Sequence, residues 1–205
     1  MPAPYVVGIG GPSGSGKTEL ARLLVKRIGA THFSLDDYYR DLSHLSLAER
    51  AGANFDDPAM FDWDLLEKDV SALIRGEAIH KPLYDFSTHT RKSDAEAVQP
   101  RPVLIVEGIL ALHHEPVRRL FGTAVFVELP DEVCYARRLA RDIRERGRSR
   151  ESVYSQYTET VRPMCERYVL PTRSFADVIV SGGQPVEISA NAVEEHMRDR
   201  TSRRS

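Results

Sequence analysis

The sequence predicts an α/β protein: a parallel sheet with helices on both faces. Two observations predict it. Short, continuously apolar, β-branched runs recur along the 205 residues and alternate with amphipathic helical stretches. The first such run is joined to the first helix by a glycine-rich loop, and open parallel sheets bind ligands beyond the carboxyl ends of their strands. The composition suits one domain spanning 1–205. Hydrophobic residues make up 41% and charged residues 28%, which allows a sizeable core and excludes disordered, collagen-like and disulfide-dense chains.

Tyr5-Val6-Val7-Gly8-Ile9 reads as a buried strand. Lys17 to Ile28 reads as a helix with Leu20, Leu23, Leu24 and Ile28 on one face. Phe33 to Asp36 is expected to form a short second strand. Asp62 caps a helix that runs through Ile74 and stops at Gly76. Val103-Leu104-Ile105-Val106 is the most apolar strand and Ala124-Val125-Phe126-Val127 another. Asp131 opens a long helix to about Arg146, with Gly147 as its break. A helical stretch from Glu151 to about Tyr168 is expected to be interrupted by Pro163. Val178-Ile179-Val180 is the last strand, before a terminal helix near Asn191 to Met197 and a frayed end at Thr201–Ser205. There is no internal repeat.

Lysines and arginines number 28 against 30 acids, a net charge of −2. A protein that coats nucleic acid or an anionic membrane shows a basic excess, so neither partner is expected and any basic site is local. Cys134 and Cys165 have no metal-ligand spacing. Met1-Pro2-Ala3-Pro4-Tyr5 lacks the pattern of a signal peptide, and the strongest apolar run is too short for a bilayer. The expectation is a soluble, cytoplasmic protein.

Gly11-Pro12-Ser13-Gly14-Ser15-Gly16-Lys17-Thr18 matches G-x-x-x-x-G-K-[ST] between a strand and a helix, the context that pattern requires. Glycines let the backbone wrap phosphate oxygens, and amides at the helix N-terminus point at the anion. Lys17 is placed to reach the β- and γ-phosphates and the Thr18 hydroxyl to help hold Mg²⁺. The expected architecture is therefore a P-loop NTPase-type sheet. The asparagines are Asn54 and Asn191, neither in an Asn-Lys-x-Asp setting, so a GTPase is not expected. A motor or translocase needs more chain and a broad basic surface. A small-molecule kinase fits the size.

Two strands end in acids, Ser34-Leu35-Asp36-Asp37 and Val103 to Glu107. Transfer to a hydroxyl needs a base, and Mg²⁺ needs oxygen ligands. Asp36 or Asp37 is the candidate base, the residues alone not separating them; Glu107 is the metal-side candidate, with Glu128 as a competitor. Seven arginines lie between 137 and 150. On a helix 137, 141 and 144 share a face, and Arg138 pairs with Asp142 four residues on. A lid closing on phosphates is favoured over a solvated face or a nucleic-acid patch.

Together the stretches GPSGSGKT, SLDDYY, NFDDPAMFD, YDFSTHTR, VEGIL, RRLARDIRERGRS and QYTETVRP resemble the uridine–cytidine kinases, within the wider phosphoribulokinase/uridine kinase group of P-loop kinases. The resemblance runs from Val6 to about Val180. It implies ATP-dependent phosphorylation of the 5′-hydroxyl of uridine or cytidine, with Mg²⁺. It places the general base on Asp36 and metal-side oxygens on Thr18, Asp36 and Glu107. It gives the ribose hydroxyls to Asp56, the pocket wall to Phe55, and base reading to Tyr84 and His89. Arg138, Arg148 and Gln156 match further nucleoside contacts, and Arg141 and Arg146 belong to an Arg-rich helical lid at about 137–152. It also implies a homo-oligomer, usually a tetramer. Trp63 and Tyr135 are expected to be packing residues. Ser181-Gly182-Gly183 stands where the group has a basic turn, so adenine contacts are unassigned, and Glu128-Leu129-Pro130 stands where an aspartate is common. The rival readings are another kinase of the group, acting on pantothenate, ribulose 5-phosphate or nicotinamide riboside, and a non-catalytic ATP sensor.

Overall fold

The structure is a computed structural model and describes residues 3–202. Met1, Pro2 and residues 203–205, which belong to the expected leaderless start and frayed end, lie outside the described residues. β1 (Tyr5–Gly10) leads through the glycine-rich loop into α1 (Lys17–Ile28). β2 is Thr31–Ser34, not 33–36. Leu35–Tyr38 instead closes into a tight 3₁₀ turn, because the Ser34 hydroxyl accepts the Asp36 amide and caps it. Asp36 and Asp37 therefore stand on a turn beyond the strand end. A one-turn helix, α2 (Leu47–Ala51), carries a Ser46/Glu49 capping box. α3 (Trp63–Ile74) is capped by the Asp62 carboxylate, as its sequence predicts.

Next comes an antiparallel hairpin, β3 (Ile79–Asp85) and β4 (Thr90–Val98), with a register shift between Pro82 and Tyr84. β5 (Val103–Glu107), α4 (Glu115–Arg118), β6 (Thr123–Glu128), α5 (Asp131–Arg146) and α6 (Arg150–Gln156) follow. Pro163 does not interrupt the backbone beyond α6. Wide π-type turns at Tyr157–Val161 and Cys165–Val169 flank the single turn α7 (Arg162–Met164). The Arg162 amide bonds five residues back to Tyr157, and this wider spiral relieves the clash a proline ring makes in an ordinary α-helix. After β7 (Val178–Ser181), α8 runs from Val186 to Ser202, so it is longer than the stretch 191–197, and Thr201 and Ser202 are helical.

Among the described residues the main sheet has five strands in the order β2-β5-β1-β6-β7, all parallel. Strand residues alternate between two cores. Val6, Leu104, Val106 and Phe126 face one core with α3 and the hairpin, while Val7, Ile9, Ile105 and Val125 face the other with α1 and α8. The register matters for the site. Glu107 lies opposite both Ile9 of β1 and Ser34 of β2, so three strand ends meet at one level. No helix among the described residues is long and apolar enough to cross a membrane.

Phe126 is 1% exposed on an interior strand of the sheet. Phe126→Ala should therefore lower the unfolding free energy by about 3–5 kcal/mol in a denaturant titration. Ile179→Ala, on the edge strand and 40% exposed, should change it by well under 1 kcal/mol. Similar losses from both would contradict this placement of the core.

Candidate active site

The loop after β1 is closed by the Ser15 amide donating to the Pro12 carbonyl at 3.1 Å. Gly14 has φ +86°, and a Cβ there would lie 2.6 Å from the Cys134 carbonyl oxygen, so a glycine is required both by conformation and by space. No side chain caps α1, which leaves its first amides available to an anion. Lys17 is buried beneath the loop and donates to the Pro12 carbonyl at 3.3 Å. Burial lowers its pKa, against the raising influence of Glu107 and Asp36.

The tie between Asp36 and Asp37 is broken by the hairpin. Lys81, itself buried, forms an ion pair with Asp37 and reaches Glu96 at 3.1 Å. Asp36 has no such partner and lines the central cavity. Burial, then the nearby Glu107 charge, pushes the Asp36 carboxyl up to about 6. Gly108 makes room for this turn, since a Cβ on it would lie 2.7 Å from that of Leu35.

Glu107 accepts hydrogen bonds from Thr18 Oγ1 at 3.2 Å and Ser34 Oγ at 3.4 Å, and His32 Nε2 lies 3.7 Å away. Burial opposes its charge, but His32, Lys17 and Thr18 outweigh that and hold its carboxyl below the ordinary range. Two hydroxyls around a single ionised carboxylate, with Asp36 nearby, make a hard all-oxygen donor set. That set fits Mg²⁺, which is bound through one or two carboxylates and completed by waters and phosphate oxygens. Glu128 does not share this position; it pairs with Arg173 at 2.9 Å near the surface.

The central cavity holds about 520 Å³. Its walls bring together Ser13, Lys17, Thr18, Asp36, Phe55, Asp56, His89, Arg138, Arg141, Arg146, Arg148 and Gln156, residues that lie in six separate stretches of the sequence. Asp56 is buried there, and burial raises its pKa against the opposing pull of Arg138 and Lys17. His89 stacks on Phe55 with ring centroids 4.8 Å apart. It holds φ +55°, uncommon for a side chain of this size and a cost of order 1–3 kcal/mol. Tyr84 stands one layer behind the wall, packed on Tyr39 and Phe55, and its buried hydroxyl has no partner. Burial pushes that hydroxyl up to about 12. Trp63 packs on Phe61 and His114, and Tyr135 on Tyr157, both as expected.

Of the seven arginines, Arg138, Arg141, Arg146 and Arg148 face this cavity. Arg144 shares the helical face of Arg137 and Arg141 but does not line the cavity; it pairs with Glu145 in solvent. Arg138 donates to Ser13 Oγ at 3.1 Å and to Gln156 Oε1 at 3.0 Å, tying α5 to the phosphate loop and to α6. Arg137, Arg138 and Arg141 also roof a cleft of about 250 Å³ over Gly14–Glu19. That cleft shares Gly16 and Arg137 with a cavity of about 340 Å³ lined by Ser181, Gly182, Gln184 and Pro185. Arg137 donates to the Gly182 carbonyl at 3.0 Å across it. Three cavities thus share walls in sequence across the phosphate loop.

Residues 6–189 match the family model of the phosphoribulokinase / uridine kinase family. The chain belongs to this family. A uridine kinase of Halobacterium salinarum is 42% identical over 97% of this chain and 88% of its own length. A uridine kinase of Chloroflexus aggregans is 47% identical over 88% of each chain. In fold, the chain is similar to phosphoribulokinase from Rhodobacter spheroides, with TM-score 0.64, 14% identity, and coverage of 87% of this chain and 70% of that one.

Tyr39, Phe86 and Ser152 also line the central cavity without having been singled out. Tyr39 follows the acids within SLDDYY, and that adjacency was its signal. Phe86 lies between Tyr84 and His89 in YDFSTHTR, a signal of the same kind, whereas Ser152 gave none, since its approach depends on α6. The guanidinium of Arg146 sits 5.5 Å from the Phe86 ring centroid.

A carbon-13 titration of the metal-free protein should show Asp36 protonated at low pH, ionised at high pH, with a midpoint near 6. Lys81→Met leaves the Asp37 charge uncompensated beside it and should move that midpoint upward, by about half a unit or more. A midpoint near 4, the ordinary carboxylate value, would contradict the buried environment.

Proposed function

We propose that the protein is a nucleoside kinase that transfers the γ-phosphate of ATP to the 5′-hydroxyl of uridine or cytidine, giving UMP or CMP. The observation that carries this reading is the continuous trough: a base-sized cavity at Arg137–Pro185, the phosphate loop, then a cavity holding Asp36 and Asp56. The uridine kinase relatives support the nucleoside over the group's other acceptors. The region 1–205 then works as one catalytic domain, with 137–152 as its lid.

In this reading the loop Gly11–Thr18 wraps the donor phosphates and Lys17 neutralises their charge. Asp36 accepts the hydroxyl proton as the 5′-oxygen attacks the γ-phosphorus in line with departing ADP. A carboxylate titrating near neutrality is suited to that work. Arg141 and Arg146 bear on the transferring group, where their charge counts most in the transition state. Thr18, Glu107 and Asp36 would hold Mg²⁺, which supplies charge neutralisation at the β- and γ-phosphates. Phe55, His89 and, from behind, Tyr84 shape the base slot, in a cavity that Arg138, Arg148 and Gln156 also line. The acceptor is therefore a pyrimidine ribonucleoside.

Asp56 gives the sharpest test. An ionised carboxylate accepts hydrogen bonds only, and its two oxygens suit the vicinal 2′- and 3′-hydroxyls. Loss of one hydroxyl leaves a desolvated oxygen unpaired, so kcat/KM for 2′-deoxyuridine should be about a hundredfold or more below that for uridine. Asp56→Ala should damage uridine turnover and narrow the gap. Equal use of both sugars by the wild type would contradict a ribose-reading Asp56.

A further inference from the structure

The arginine helix contains one acid with an unusual environment. Asp142 has Arg138 four residues before it, Arg146 four after, and Arg141 beside it, so helical geometry brings three guanidiniums to one carboxylate. A fourth arrives by the turn. The amides of Gly147 and Arg148 both donate to the Asp142 carbonyl, the Arg148 bond spanning six residues at 3.2 Å, and this folds Arg148 back over the helix end. The Asp142 side chain is fully buried. Arg141 gives Oδ1 two contacts of 2.9 Å, while Arg146 stands 3.5 Å from the same oxygen. Arg138 and Arg148 stand 3.5 and 3.9 Å from Oδ2.

The lengths divide the labour. Only Arg141 is tightly hydrogen-bonded to Asp142. The other three face the carboxylate by charge alone, at distances that leave their N–H groups directed elsewhere, Arg138 to Ser13 and Gln156 and Arg148 to Gln156 and Ser152, and all four line the central cavity while Asp142 does not. Without the carboxylate, four cations gathered on one wall would repel one another toward solvent. Burial and Arg141 already disfavour the charge on Arg146, and Asp142 opposes them.

We propose that Asp142 is a positioning residue for phosphoryl transfer: a shared counter-charge that keeps the four cavity arginines in register over the transferring phosphate, without touching it. This deepens the kinase reading and rests on it.

Asp142→Asn keeps the shape and removes the charge. Turnover with uridine and ATP should fall by about 10- to 100-fold, because the arginines lose their fixed geometry in the transition state. Inorganic tripolyphosphate, measured by calorimetry, should bind at least as tightly as to wild type, since the cluster has lost a buried negative charge. Hydrogen exchange of amides 141–150 should quicken. Arg146→Gln should cost the wild type about tenfold or more and the Asp142→Asn background about threefold or less. Turnover within twofold of wild type, additive losses in the double variant, or tripolyphosphate binding lost in step with turnover would each overturn the proposal. If Asp142→Asn does not fold, Asp142→Glu, which keeps the charge and displaces it by a methylene, should lose turnover at least about fivefold with tripolyphosphate affinity unchanged; full turnover there overturns it as well. Absence of uridine phosphorylation by the wild type would instead count against the kinase reading, whereas the tripolyphosphate and exchange measurements test the Asp142 cluster on their own.

Discussion

One buried lysine and two strand-end carboxylates hold the site in balance. Lys17, Asp36 and Glu107 act electrostatically on one another, and burial disfavours the charge on each of them. None is tolerable alone in such a place. Sheet register puts them together: Glu107 falls opposite Ile9 and Ser34, and the turn after Ser34 carries Asp36. The glycines around them exist because backbone must pass where side chains would collide, at Gly14 against Cys134 and at Gly108 against Leu35. The two acids settle unequally. Glu107 stays ionised among hydroxyls and His32, and Asp36 is left available to a proton.

The hairpin has a role beyond completing the pocket. Its Lys81 occupies Asp37, so of two adjacent acids only Asp36 faces the substrate cavity. Its tip supplies His89, held in a costly backbone conformation and kept there by stacking on Phe55. Strain of this kind is tolerated where the surroundings over-determine it. Charges of one sign are also gathered by α5 and the turn at Gly147, so a chain with net charge −2 still presents four arginines to this cavity.

The parallel sheet was legible in the sequence because Tyr5–Ile9, Val103–Val106 and Ala124–Val127 are buried on both faces and read as unbroken apolar runs. The hairpin was not, because β4 is largely exposed and polar and β3 contains Pro82. The unbroken path through Pro163 was hidden for a different reason: a widened turn has no hydropathy signature. In the site, the glycine-rich loop and the acids at strand ends announce themselves by type and position. The resemblance favours Asp36, but the physical reason that sets Asp37 aside is Lys81, forty-four residues away in the chain, a contact made by tertiary packing. The pairing of Arg138 with Asp142 followed from helical spacing, but the arrival of Arg148 depends on the Gly147 turn.

The central claim is that burial and pairing make Asp36, and not its neighbour, the group that takes the hydroxyl proton. The most direct measurement is UMP formation from uridine and ATP by Asp36→Asn and Asp37→Asn, alongside calorimetric ATP binding for each. The account predicts that Asp36→Asn loses about 10²–10⁴ in turnover with ATP binding nearly intact, while Asp37→Asn stays within about tenfold of wild type. Full turnover by Asp36→Asn, with the large loss falling on Asp37→Asn, would contradict it.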